Sequence, residues 1–269
     1  MNDTHTTRRI TEDVDVISYD HPVPGKGFLP IRSFLIRGRQ PVLIDTGAVI
    51  GVRGFLEALE TLVDPADLAW IVLSHPDTDH TGALPSLLEK APKAKLVLNW
   101  ISTGKLSAVI EPPLPRIRWV NAGESLAAGQ RVLHFLRAPM YDCPSTVAVF
   151  DSKTRVLFSS DAFGGFVQEM TETFSDQKEP EAALEGMSFF CRCNSPWLSD
   201  VRPDRYADAL KTYSDLEPSW LLASHFPAVE SRNVGTIIAR AASFPDEGRV
   251  PLPGQQALDA ALASLGQAA

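Results

Sequence analysis

Directly behind a short apolar run the sequence reads Ser74-His75-Pro76-Asp77-Thr78-Asp79-His80-Thr81-Gly82. Four side chains able to bind a metal, His75, Asp77, Asp79 and His80, fall within six positions. Imidazole nitrogen and carboxylate oxygen together suit a first-row divalent ion, and ligands at alternating positions of a turn can face two adjacent ions. The plainer reading is an Asp-rich surface turn in which Asp79 or His80 caps the next helix. Such a dense set behind a buried strand favours the metal.

The elements that would position these residues follow from local pattern. Residues 14–19, 33–36 and 41–45 read as strands, the last two joined by a turn at Arg37-Gly38-Arg39-Gln40. Between residues 19 and 33 the prolines and glycines of residues 21–30 predict a loop. Residues 52–63 carry Phe55, Leu56, Leu59, Leu62 and Val63 at helical spacing. A buried strand at 70–73 then runs into Ser74-His75, with a helix expected over 82–90 and a strand over 94–98. Strands are expected at 131–137, 146–150 and 155–159, and again at 220–224. Helices are expected over 179–190, 204–216, 235–242 and 255–266. Strands and helices mixed in this way, with polar residues at strand ends, describe an α/β sandwich whose sheets lie under helices. No repeat or linker divides the 269 residues, so one domain is expected over 1–269.

Composition narrows the partners. Lys plus Arg number 25 against 33 Asp plus Glu, a net charge of -8, and no basic stripe occurs, which argues against nucleic acid. No apolar run approaches the ~18 residues that span a bilayer. The polar start, residues 1–9, does not read as a secretory leader. Three cysteines, Cys143, Cys191 and Cys193, are too few and odd in number for a disulfide framework, which suits a reducing cytoplasm. Cys191-Arg192-Cys193 lacks a second pair and reads as ordinary thiols.

The segments after the first motif carry a resemblance. Asp79-His80-Thr81-Gly82-Ala83-Leu84-Pro85, Pro139-Met140-Tyr141-Asp142-Cys143-Pro144, Phe158-Ser159-Ser160-Asp161-Ala162-Phe163-Gly164 and Ser224-His225 occur in order, with Asp45-Thr46-Gly47 upstream. Together they resemble the metallo-β-lactamase fold superfamily, and most closely its flavodiiron branch and the stand-alone diiron relatives. The resemblance implies an αββα sandwich, two mixed β-sheets flanked by helices. It implies that His75, Asp77 and Asp142 serve a first metal, that Asp79, His80 and His225 serve a second, and that Asp161 bridges both. The sequence departs from the flavodiiron pattern twice: Asp77 stands where glutamate is usual and Asp142 where histidine is usual.

Those departures leave His75 as the single nitrogen ligand of the first site. Carboxylate is a harder ligand than imidazole, so that site leans toward iron or manganese rather than zinc. Four aspartates also neutralise two divalent ions, which stabilises higher oxidation states and weakens the drive to ionise a bridging water. A hydrolase wants the reverse. The expectation is therefore a diiron protein that binds or reduces oxygen or nitric oxide, as a sensor or with a separate electron-donor protein. A dinuclear hydrolase of an ester, thioester or phosphoester is the alternative, and a binding module with a damaged first site is a third. No flavin phosphate loop is visible, so neither FMN nor a flavodoxin domain is expected in this chain. The flavodiiron resemblance further implies a homodimer.

Several residues receive plainer readings. Asp45 is expected to hold the metal loop by hydrogen bonds rather than to bind metal. His134 reads as a structural histidine in a strand, and His21 as a loop histidine that could overhang the site. Tyr141 and Phe163 are expected to wall the pocket, and Cys143 is reactive only where exposed.

Overall fold

A computed structural model describes residues 5–267; the sequence reading of residues 1–4 lies outside that range. Four antiparallel neighbours open the first sheet: β1 (Thr6–Thr11), β2 (Val14–Val23), β3 (Gly27–Ile36) and β4 (Val42–Ile44). Parallel strands β5 (Trp70–Val72), β6 (Lys95–Leu98) and β7 (Ile117–Trp119) extend it in spatial order. Parallel neighbours need crossovers. Helices α1 (Val52–Glu60), α2 (Leu84–Lys90) and α3 (Trp100–Leu106) supply them.

The second sheet contains β8 (Ser125–Ala128), β9 (Arg131–Arg137), β10 (Val147–Asp151), β11 (Val156–Ser160), β12 (Trp220–Ala223) and β13 (Val229–Glu230), in the order β13-β12-β11-β10-β9-β8. All its pairs are antiparallel except β11 with β12. That one crossover carries α4 (Pro180–Asn194) and α5 (Pro203–Asp215); α6 (Ser231–Ala242) and α7 (Gln255–Gln267) follow β13.

Alternation along the strands builds three apolar layers. Val14, Phe34, Ile44 and Val72 of one sheet meet Phe135, Val149 and Phe158 of the other. One residue out of step, Leu35, Leu43 and Ile71 pack outward against Phe55, Leu59 and Leu87 of the first helices. On the far side Phe150, Leu157 and Leu221 pack against Leu184, Met187, Leu210 and Ile237. Strands buried on both faces read as unbroken apolar runs, which is why residues 70–73 look as they do. The layers make the expected αββα sandwich with two mixed sheets.

The largest departure from the sequence reading is at residues 20–30. The prolines and glycines there predict a loop, but β2 and β3 form a long hairpin, pairing as far as Val23 with Gly27. Pro30 is tolerated because of the direction its nitrogen faces. The amides of Phe28 and Arg32, two positions either side, point away from β2 to Val167 O and Ser224 O. The Pro30 nitrogen shares that side, so no ladder bond to β2 is lost. β1, α3, β7, β8 and β13 are further elements without an expectation from the sequence.

Candidate metal centre

The sequence-selected side chains gather at one edge of the sandwich, where strands from both sheets end. Asp45 follows β4, Ser74-His75 lie just past β5, Asp161 follows β11 and Ser224-His225 follow β12; Asp142 comes from the β9–β10 connection. Carboxyl ends of parallel strands are where open α/β sheets leave a crevice. The backbone there is strained: Asp45, Ser160 and Phe163 have φ of 58°, 56° and 67°, a left-handed conformation unusual for these residues.

A web of backbone bonds fixes the loop that holds His75 to His80. The Thr46 amide donates to His80 O at 2.7 Å, the Gly82 amide to Gly47 O at 2.7 Å and the Ala83 amide to Thr46 O at 3.0 Å. The two chain segments approach so closely that a Cβ at position 82 would stand 2.2 Å from the Ala48 carbonyl carbon. Only glycine fits there.

The three histidines of the site are each backed through Nδ1. His225 Nδ1 donates to Pro30 O at 2.8 Å, and a carbonyl accepts only. His80 Nδ1 lies 2.8 Å from Asp45 Oδ2. His75 Nδ1 lies 3.2 Å from both Ser74 Oγ and Ser160 Oγ. Ser160 donates to Ser74 at 2.8 Å and Ser74 to Asp45 at 2.8 Å, so His75 Nδ1 is left to donate to a serine oxygen. All three rings thus carry hydrogen on Nδ1 and turn Nε2 inward, the arrangement of metal-binding histidine.

The inward atoms converge. Asp161 Oδ1 lies 3.0 Å from His80 Nε2 and 3.3 Å from His225 Nε2; Asp79 Oδ2 lies 3.3 Å from His225 Nε2. Ligands about 2.1 Å from a shared ion stand roughly 3.0–3.4 Å from one another, so this spacing fits one ion. His75 Nε2 lies 3.8 Å from Asp77 Oδ2 and from Asp161 Oδ2, a looser group. Two triads each keep their ligand atoms within 4.8 Å: Asp79, His80, His225 and His75, Asp77, Asp142. Asp161 groups with His75 and His80, between the triads. His75 Nε2, His80 Nε2 and Asp161 Oδ1 are buried with no hydrogen-bond partner. Three costly orphans pointed at one space fit a cation that would satisfy them.

The charges fit too. Burial alone would lower the His225 pKa, but Asp161 and Asp79 outweigh it and push it up to about 10. Burial works against His80 in the same way, and Asp45, Asp161 and Asp79 raise it well above the usual range. Asp161 is held well below the usual carboxylate range, despite burial, by the imidazoles of His75, His225 and His80. Asp142 moves the other way. Loss of water around its carboxyl, with the charges of Asp161 and Asp77, raises it against the pull of His75, although the residue as a whole is exposed.

The remaining sequence readings divide. Asp45 does hold the loop, accepting from the Ser74 amide at 2.8 Å as well as from its hydroxyl. His134, in β9, shares a hydrogen bond with Ser125 Oγ at 2.9 Å. His21 sits in β2 beside Tyr19 rather than in a loop, outside both triads. Tyr141 packs on Trp197 with ring centres 4.9 Å apart, and Phe163 is fully buried. Cys143 is buried, 3.2 Å from Lys105 Nζ, and Cys191 is buried with its thiol pushed up by burial. Sequence reasoning missed Pro30, the two serines as supports, and Asn194, whose amide donates to Asp161 Oδ2 at 3.3 Å. The serines directly precede ligand positions and offered a signal; Asn194, at the end of α4, offered none.

Comparison with known proteins adds a family. A family model described as ODP family beta lactamase matches residues 29–196. A putative diflavin flavoprotein A 2 of Synechocystis is 34% identical over 84% of this chain and 38% of its own length. A putative diflavin flavoprotein A 1 of Thermosynechococcus vestitus is 32% identical over 72% of this chain and 33% of its own. The chain thus spans about a third of the curated relatives it matches. Among solved structures, the flavodiiron protein from Giardia intestinalis superposes with a TM-score of 0.78 at 17% identity, covering 90% of this chain and 60% of that one. Rubredoxin oxygen:oxidoreductase from Desulfovibrio gigas gives 0.75 at 18% identity, covering 90% and 62%. These likenesses show the shared fold.

Proposed function

The chain belongs to the ODP family of beta-lactamase-like proteins, and on that footing we propose that it is a diiron protein that reduces oxygen or nitric oxide with electrons from a separate donor. The observation that carries this reading is the convergence of three buried, unpartnered atoms, His75 Nε2, His80 Nε2 and Asp161 Oδ1. In this reading His75, Asp77 and Asp142 hold one ion, Asp79, His80 and His225 the other, and Asp161 reaches both. Iron held by these residues would supply the redox chemistry for reducing oxygen or nitric oxide.

The side chains around it set the conditions. Asp45, Pro30 and the Ser74–Ser160 pair lock the three rings, so little reorganisation accompanies a change in metal charge. The four aspartates balance two divalent ions and favour the more oxidised pair over a hydroxide-generating one. Phe190 packs beside the ring of His225, their centres 5.3 Å apart, and helps to hold that ring in place. The flavodiiron proteins among the solved structures that share this fold support the same reading.

The test is turnover. Protein purified without oxygen, loaded with ferrous iron and kept reduced by a chemical donor should consume oxygen or nitric oxide, and Asp161→Ala should abolish this. Retention of zinc with esterase turnover, and no oxygen or nitric oxide consumption by the iron form, would refute the proposal.

A further inference from the structure

Away from the metal centre, β1, β2 and β3 together with residues 170–172 line a half-open cavity of about 230 Å³. Its wall includes Arg32, Asp20, Arg8, Glu172, Val16 and Met170. Arg32 is 5% exposed, yet among the described residues its guanidinium, with five N–H donors, makes one hydrogen bond, from Nη2 to Thr171 O at 3.2 Å. Its Nε is buried without a partner. Burial lowers its pKa to about 10, which leaves it a cation at neutral pH.

Asp20 lies two residues along the neighbouring strand on the same face, since Ser18 pairs with Arg32 and Asp20 with Pro30. Its Oδ1 is also buried without a partner, and no hydrogen bond reaches its carboxylate from the described residues. Arg8 and Glu172, at the more exposed rim, form an ion pair with each other. Asp20 and Arg32 feel each other's charge, but no hydrogen bond or ion pair joins them among the described residues. A buried cation and a carboxylate that the protein itself leaves unsatisfied are costly unless something else meets both. A single small molecule does so when it carries a carboxylate next to a hydrogen-bond donor. At about 30 Å³ per water-sized group, the cavity takes roughly seven heavy atoms. Val16 and Met170 give a short aliphatic group an apolar wall.

We propose that this cavity binds a small α-amino or α-hydroxy acid, its carboxylate on Arg32 and its neighbouring ammonium or hydroxyl on Asp20. Neither residue belongs to the metal triads, so the site stands or falls apart from the function proposed above. Calorimetric titration of the metal-loaded chain with L-alanine, L-lactate and acetate tests it. L-alanine or L-lactate should bind saturably at one per chain, the tighter of the two fixing the class, and acetate at least about tenfold more weakly because it reaches only Arg32. Arg32→Met and Asp20→Ala should each weaken the tighter ligand by about tenfold or more without changing metal content. Asp20→Ala carries the test alone should Arg32→Met fail to fold. No saturable binding of either acid, acetate binding as tightly, or unchanged binding in a folded variant would overturn the proposal.

Discussion

Asp45 Oδ2 stands 2.8 Å from His80 Nδ1, with both residues 1% exposed, while the same carboxylate holds the amide and hydroxyl of Ser74. One buried side chain that binds no metal in the proposed scheme thus orients His80 and the strand end that carries His75. Asp45→Asn should keep the shape but weaken the acceptor to His80, and iron affinity should fall by about 10–100-fold. Titration of ferrous iron into the metal-free variant measures this; wild-type affinity would show that the contact does not tune the site.

Gly82 sets a second requirement. Gly82→Ala would push a methyl group into the Ala48 backbone, where no side chain can move aside. The variant should lose about 1–3 kcal/mol of stability and part of its metal content together. Urea unfolding with metal analysis of the same sample checks both, and an unchanged midpoint would show that the two loops can separate.

Asp142, where the sequence leaves the flavodiiron pattern, should control the first ion. Asp142→His replaces a hard anionic ligand by a neutral softer one and should raise zinc uptake relative to iron. Asp142→Ala should lower occupancy of the first site while Asp79, His80 and His225 keep the second nearly full. Equal stoichiometry and affinity in wild type and both variants would remove Asp142 from the ligands.

The metal-free protein should lose stability as pH rises from about 6.5 toward 10. The His225 pKa is pushed from 6.5 up to about 10 in the fold, so the folded chain holds a proton that the unfolded chain releases through this window. Folding is then favoured most below the unfolded value, and the gain disappears as pH climbs through the folded one. His80, also raised, adds in the same direction. Denaturant midpoints of the metal-free chain at pH 6, 8 and 10 should fall in that order. A flat or rising series would contradict the paired imidazoles.

How much of this was legible in the sequence depended on distance along the chain. His75, Asp77, Asp79 and His80 lie within six residues, and the apolar run before them marks the strand that delivers them. Asp161 and His225 were found through the family resemblance of the segments Phe158-Ser159-Ser160-Asp161-Ala162-Phe163-Gly164 and Ser224-His225. The β2–β3 hairpin was hidden because Pro22, Pro24, Gly25, Gly27 and Pro30 are loop signals, and only the side to which the Phe28 and Arg32 amides point shows why Pro30 is accepted. The contacts from Pro30 O to His225 and from Asn194 to Asp161 join residues 195 and 33 positions apart, beyond any local pattern. Asp20 and Arg32 fell in the stretch between residues 19 and 33 that reads as a loop, and only the β2–β3 pairing sets them on neighbouring strands.

Metal counting on single-ligand variants tests the central claim most directly. Wild-type chain, purified without oxygen and reconstituted with ferrous iron, should hold two irons, and His80→Ala and His225→Ala should each hold one, because each strips the second ion and leaves the first. A wild type that never exceeds one iron, or a folded His80→Ala or His225→Ala that keeps the full wild-type content, would contradict the assignment of the dinuclear centre.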